Sequence, residues 1–191
     1  MKNAKELILE HTFILMLERG LDGVSVSGLQ EATGLSRGLL YRYYKSKDEL
    51  ILEVCKRYFF ERYFTFDVNL NEISLGDFIN LAEKSAKQLF KSLENISGKK
   101  VNILRYNMLY ADVLDRLPQF KDYAASEIKK MRIVLKNSIS RGEIKDLPVD
   151  FLENVLLDIL GRVACLSSGN NPKISNIFRD SKRFYKLIKK G

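Results

Sequence analysis

The amino-acid sequence predicts an all-α protein of about nine helices. Three observations carry the prediction. Apolar residues recur at helical spacing along most of the chain, only three prolines occur in 191 residues, and no run alternates β-branched with polar residues as a half-buried strand would. The predicted helices divide into an N-terminal three-helix group, residues 1–47 with the start of a fourth helix, and a C-terminal helical group, 48–191. With 46% hydrophobic residues, the chain can build a sizeable core.

Helix 1 is expected from about Asn3 to Arg19, with Leu7, Ile8, His11, Ile14 and Leu15 on one stripe and Gly20 as its stop. His11 on that stripe reads as a core histidine. The segment Ser25 to Lys47 reads as two short helices around a tight turn. Val26, Leu29 and Ala32 recur at i, i+3 and i+6, and Leu35 and Leu40 resume the buried side. Gly34 closes the first of these helices where a left-handed residue is needed, and Ser36 is placed to cap the second. Helix 4 starts at Ser46, whose Ser-x-x-Glu spacing to Glu49 is a capping box, and is expected to continue through Tyr58 towards Phe66.

Helix 5 is expected over about Leu75 to Asn95, broken by Ser97-Gly98, and helix 6 over about Lys99 to Leu117. Pro118 suits the first turn of helix 7, which runs to about Arg141. Helix 8, about Val149 to Ser168, stops at Gly169-Asn170-Asn171-Pro172. Helix 9 closes the chain with Ile174, Ile177, Phe178, Phe184, Tyr185 and Ile188 at helical spacing.

Two short helices about a Gly turn form a helix-turn-helix, and here the second carries Arg37, Gly38, Leu39, Tyr41, Arg42 and Tyr43. An α-helix fits the major groove of B-DNA. There an Arg reaches guanine, an apolar side chain meets a thymine methyl, and the flanking phosphates favour cations and phenolic hydroxyls. Gly38, in the first turn, lets the backbone approach a phosphate. From Ala32 to Lys47 there are Arg37, Arg42, Lys45 and Lys47 and no acidic residue, although bases and acids balance over Met1 to Leu50. The net charge of +8 therefore arises elsewhere, notably between Lys173 and Gly191. That run reads either as a solvated helix face or as an accessory polyanion contact.

Other classes find little support. One histidine, no Cys-His or Ser-His-Asp pattern and no Gly-rich phosphate loop argue against an enzyme. His11, Cys55 and Cys165 lack metal-ligand spacing, and no cofactor is expected. Both cysteines sit in apolar helical patterns, as small buried hydrophobes of a reducing compartment do. The start of the chain lacks a secretory signal, and no apolar run approaches the roughly 20 residues that span a bilayer, so a cytoplasmic protein without membrane contact is expected.

Leu7 to Leu50 resembles the N-terminal domain of the TetR family of transcriptional regulators. The likeness lies in helix 1 ending Glu18-Arg19-Gly20, in Ser25-Val26-x-x-Leu29, in Ala32-x-Gly34-Leu35-Ser36-Arg37-Gly38-x-Leu40-Tyr41-x-Tyr43-Tyr44, and in Lys47-x-x-Leu50. It implies a regulator that binds a double-stranded DNA operator. By the same resemblance, Arg37, Leu39, Tyr41, Arg42 and Tyr43 match groove or phosphate contacts, Lys47 matches a phosphate contact, and Tyr44 falls where the family has a buried aromatic. Two positions depart from the pattern. Gln30 stands where a small Ala usually packs between helices, and Leu39 where a small or polar residue is usual. A helical protein-interaction module without DNA binding is the alternative that these departures keep open.

The resemblance further implies a C-terminal domain that receives a small-molecule effector and dimerises. Phe59, Tyr63, Phe90, Tyr106 and Tyr110 supply an apolar, aromatic lining within helices 4 to 7, and Asn107 is placed to orient a largely apolar ligand. Helix 6 has two apolar stripes, Val101-Leu104-Met108-Ala111 and Ile103-Tyr106-Tyr110-Val113-Leu117, and is expected to be buried on most sides. Helix 8 is apolar on more than one side. Leu156, Leu160, Gly161 and Ala164, with Phe178 and Phe184 of helix 9, are the candidates for a homodimer interface; the same residues also read as monomer core. A ligand that tilts helix 4 would change the separation of two recognition helices in a dimer and release a repressor from its operator.

Overall fold

The computed structural model describes residues 3–61, 68–166 and 173–190, without the side chains of 161–166. Nine α-helices lie within these residues: α1 (Ala4–Arg19), α2 (Val26–Thr33), α3 (Arg37–Tyr43), α4 (Lys47–Cys55), α5 (Leu75–Ser97), α6 (Ile103–Arg116), α7 (Lys121–Ser140), α8 (Val149–Leu166) and α9 (Ile174–Ile188). Among the described residues there is no strand, only an isolated antiparallel bridge between Ile144 and Lys189. No described helix is long and apolar enough to cross a membrane.

Most boundaries follow local capping. Asn3 caps α1 by accepting the Glu6 N–H at 2.8 Å. Helix α6 starts at Ile103, later than Lys99, because Asn102 accepts the N–H groups of Leu104 and Arg105 at 2.9 and 3.3 Å. Pro118 does not open α7. It begins a 3₁₀ turn, Pro118–Phe120, that turns Phe120 inward before α7 starts at Lys121.

Helix α4 also departs from expectation, since its last part widens into a π-helical turn, Lys56–Glu61. Tyr58, Phe59 and Phe60 are consecutive and all buried. A regular α-helix spreads three successive residues over most of its circumference; the wider turn is how this helix brings all three to its buried side.

Two compact units can be distinguished, and they do not follow chain order: Met1–Thr65 with Leu89–Phe120, and Phe66–Gln88 with Lys121–Gly191. The core of the first is aromatic. Phe13 of α1 stacks on Tyr58 with centroids 4.4 Å apart, and Tyr106 of α6 meets Phe13 edge-on at 6.2 Å. Phe60 stacks on Phe120 at 5.2 Å. The Tyr106 hydroxyl donates to the Tyr58 carbonyl at 3.4 Å, so the ring is buried with a partner for its polar end.

Helix α6 buries one side only. Ile103, Tyr106, Leu109 and Val113 are buried, whereas Met108 is 63% exposed and Ala111 is exposed too. The expectation of a helix covered on most sides is thus corrected. Arg105, Asp112, Asp115 and Arg116 share the outer side with Leu104, Met108 and Ala111 of the other stripe, and their charges keep that side in water.

In the second unit, the turn after α7 is tied to the start of α5. Arg141 donates to the carbonyls of Asn71 and Ile73, and Glu143 accepts the Leu75 N–H at 2.9 Å and the Tyr185 hydroxyl at 3.0 Å. Helices α5 and α9 touch where Gly76 faces Tyr185; a Cβ there would lie 2.7 Å from the ring. Glu83 pairs with both Lys87 and Lys182. Arg132 of α7 holds Glu153 of α8 with two hydrogen bonds, 2.6 and 2.9 Å.

Candidate nucleic-acid interface

Side chains cap both short helices. The Ser25 hydroxyl accepts the Gly28 N–H at 3.1 Å, and Ser36 accepts the Leu39 N–H at 3.3 Å. Between the helices, Gly34 sits at φ 70°, a left-handed conformation that costs other residues strain, and returns its N–H to the Gln30 carbonyl. Helix α3 then has seven residues, of which only Leu40 is buried. One anchor therefore holds the helix, and its remaining side chains face outward or lie at the margin.

Those side chains include most of the residues singled out from sequence. Arg37, Gly38, Tyr41, Arg42 and Tyr43 are exposed, Tyr41 by 46% and Tyr43 by 39%, and Leu39 is half-buried. A Cβ added to Gly38 would meet nothing within 4 Å, so its bare backbone lies open. The Arg37 guanidinium lies over the Tyr41 ring, 5.5 Å from its centroid. Tyr44, the next aromatic, behaves differently. It is 4% exposed in extended conformation, with the Lys5 ammonium 5.8 Å from its ring centroid. Burial, reinforced by the Glu53 carboxylate, pushes its hydroxyl pKa up.

The start of α4 is fixed by Ser46, which accepts the Glu49 N–H at 3.1 Å, while the Glu49 carboxylate takes the Lys45 N–H at 2.8 Å. Lys47 is exposed beside α3, and its ammonium donates to the Asp22 carbonyl at 3.4 Å. Asp22 in turn receives both arms of the Arg116 guanidinium, at 2.8 and 2.9 Å. That ion pair holds the Asp22 pKa below the usual carboxylate value. The link from α6 through Asp22 to Lys47 has no signal in the sequence, since its ends are far apart in the chain.

The other candidates are placed as follows. Phe59 packs against Tyr106 and Tyr110 at 5.1 and 5.4 Å, and Phe90 against Tyr106 at 5.2 Å. Asn107 is half-buried, and Tyr63 lies outside the described residues. All four rings belong to the compact unit that contains the helix-turn-helix. Of the residues suggested for a dimer interface, Leu156 (2% exposed) and Phe178 (8%) are largely covered by their own chain. Leu160 and Phe184 keep intermediate exposure; the side chains of Gly161 and Ala164 lie outside the described residues.

His11 is half-buried instead of lying in the core. Burial pushes the Cys55 thiol up to about 12, leaving almost no thiolate for redox chemistry. No group of three or more His, Cys, Asp or Glu suited to a metal occurs among the described residues.

The family model described as "Bacterial regulatory proteins, tetR family" matches residues 8–54, which span most of α1 through most of α4. The HTH-type transcriptional repressor AcnR of Corynebacterium glutamicum is 24% identical over 169 residues, covering 85% of this chain and 82% of the relative. KstR2 of Mycolicibacterium smegmatis, also an HTH-type transcriptional repressor, is 25% identical over 162 residues, covering 81% and 74%. Among solved structures, the TetR family transcriptional regulator PfmR of Thermus thermophilus shares the fold with a TM-score of 0.67 at 16% identity, over 96% of this chain and 97% of its own. A TetR family regulator from Pseudomonas syringae pv. tomato gives 0.58 at 15% identity, over 95% and 94%. The matched segment is the one in which capped helices present an exposed surface without an acidic residue from Ala32 to Lys47, and over residues 8–54 the chain carries an N-terminal domain like that of the tetR family of bacterial regulatory proteins.

Proposed function

We propose that the protein is a homodimeric repressor that leaves its operator when a small, largely apolar ligand binds. In this reading, residues 1–47 read DNA and residues 48–191 receive the effector and dimerise. The observation that carries it is the outward array on α3 and the start of α4. Arg37, Tyr41, Arg42, Tyr43 and Lys47 are all exposed in a stretch without an acidic residue. Arg37 and Arg42 suit base edges or phosphates, Tyr41 and Tyr43 suit phosphates, and Leu39 and Gly38 suit close approach to the groove wall.

A single helix-turn-helix makes few contacts, so two copies reading half-sites about one helical turn apart are expected. Leu160 and Phe184, half-exposed on α8 and α9, and Gly161 and Ala164 on α8 are the proposed dimer contacts. The effector is assigned to the region of Phe59, Tyr63, Phe90, Tyr106, Asn107 and Tyr110, where a ligand would exchange ring–ring contacts for its own. Helix α4 and the π turn that follows it connect Lys47 to Phe59. Coupling of about 1–3 kcal/mol would weaken operator binding about 5- to 150-fold.

Selection of bound sequences from random duplexes, followed by titration with a panel of apolar ligands, tests the reading. Recovery of a two-fold symmetric site that is released by a ligand supports it. Unchanged operator affinity across a broad panel removes ligand release, and a sample indifferent to every duplex at low salt favours the protein-interaction alternative. Sedimentation of Leu160→Glu and Phe184→Glu variants tests the dimer: a mass unchanged from that of the parent chain moves the interface elsewhere.

A further inference from the structure

A cavity of about 160 Å³ lies beneath the recognition helix, inside the helix-turn-helix domain itself. Its floor is made by Ile8, Val24, Leu29, Leu40 and Leu50, all of them buried. Its mouth is made by Ser25, Tyr41, Lys45, Ser46 and Lys47, all of them exposed. No acidic residue lines it. We infer that this cavity is a second small-molecule site, distinct from the aromatic region of α4 to α6, and that it takes a single-ring aromatic carboxylate.

Size and charge argue for that class. An enclosed apolar cavity of about 150 Å³ can stay dry and accept a benzene ring, so the whole pocket here, floor and mouth together, has room for one ring with a small polar group. A neutral ring would leave the mouth unused, where two lysines line the opening without a carboxylate among the lining residues. A carboxylate on the ring reaches the mouth while the ring rests on leucine and isoleucine, and it gains charge-assisted hydrogen bonds there. Ser46 accepts the Glu49 N–H and so has its own hydroxyl hydrogen available to donate.

The site bears on regulation because its mouth shares Tyr41 and Lys47 with the proposed DNA surface. A carboxylate held there competes with a phosphate for the same groups, and its ring fixes Leu40, the one buried anchor of α3. The regulatory consequence rests on the DNA-reading role of α3. Binding of the small molecule does not, and is read on free protein.

Benzoate is the probe, with benzyl alcohol and inorganic phosphate as its neutral and ring-free counterparts. Amide resonances of the full chain are followed during titration. The expected result is saturable binding near the about millimolar affinity open to so small a ligand, with shifts confined to α1 around Ile8, the turn at Val24, α2, α3 and the start of α4. Combined Lys45→Gln and Lys47→Gln should weaken benzoate about fivefold or more, since a charged hydrogen bond is worth that much, and Leu29→Phe, which fills the floor, should abolish binding. In operator titrations, benzoate should weaken binding more than the same concentration of chloride does.

Absence of saturable binding overturns the proposal, as does equal binding of benzyl alcohol or phosphate, or shifts that map elsewhere. If benzoate binds here but acts on operator affinity no more than chloride, the regulatory role is lost. A protein that binds benzoate here and no duplex at all would refute the DNA reading while leaving the site intact. Wild-type titration decides the matter even if a variant fails to fold.

Discussion

Arg116, at the end of α6, closes two hydrogen bonds on Asp22, in the turn between α1 and α2. Asp22 also offers its backbone carbonyl to Lys47, at the first position of α4. Three segments that are distant in sequence therefore meet at one exposed residue, Asp22, beside the surface proposed to face DNA.

Substituting Arg116→Met should leave thermal stability close to wild type, because exposed ion pairs contribute little. It should weaken operator binding by freeing the Asp22 turn and Lys47. Asp22→Asn should act in the same direction, and the double variant should be no worse than either single one, since both remove the same link. Fluorescence anisotropy on a labelled operator measures this. Fully additive losses would show that the two residues act separately.

Arg37→Ala should relax base preference at one position of each half-site, at a cost of about 1–3 kcal/mol against the preferred base. Lys47→Gln should instead weaken binding to all sequences alike and reduce the salt slope by about one. Titrations at several salt concentrations separate the two. A sequence-selective effect of Lys47→Gln would contradict its assignment to phosphate.

Phe13 is fully buried and stacks on Tyr58. Phe13→Ala should cost about 3–5 kcal/mol of unfolding free energy, the usual toll of deleting a core aromatic. Chemical denaturation reads it directly, and a loss below about 1 kcal/mol would mean that the cluster repacks.

At Gly76, even one methyl group would collide with Tyr185. Gly76→Ala should destabilise by about 1–3 kcal/mol despite its gain in helix propensity. Pairing it with Tyr185→Leu should recover part of the loss. A stabilised Gly76→Ala single variant would show that α9 yields easily.

Two carboxylates tie stability to acid pH, the exposed Asp22 only weakly and the buried Glu83 more strongly. Arg116 lowers the Asp22 pKa; at Glu83, burial acts upward but Lys182 and Lys87 outweigh it, so the net shift is also downward. Their contribution is fully present above the unfolded pKa values, near 3.8 and 4.5, and is lost as pH falls through the lower folded values. Melting temperature should therefore fall on acidification below about pH 4.5, and less steeply in Glu83→Gln. A profile identical in the variant would remove Glu83 from the account.

The helix-turn-helix was legible in sequence because its signals are local. Ser25, Ser36 and Ser46 cap by reaching residues three positions on, Gly34 meets a single backbone requirement, and the one buried anchor of α3, Leu40, lies on the predicted apolar side. The same logic separated Tyr44, an interior ring, from Tyr41 and Tyr43. Asn102 shows the limit of such reading, since its capping role was open to inspection yet lost to the stronger break at Ser97-Gly98.

Sequence by itself determined where the two short helices of the helix-turn-helix begin and end and which of them presents its polar side, because those outcomes depend on neighbours within one or two turns. Tertiary structure alone decided the π turn that buries Tyr58, Phe59 and Phe60 together, the burial of one α6 stripe and exposure of the other, the pairing of Asp22 with Arg116, and the cavity under Leu40. Each of these is set by surfaces brought together from distant parts of the chain. Helical periodicity states that a face is apolar, but which of two apolar faces is covered, and whether packing leaves a void behind it, is decided only when the partner helix arrives.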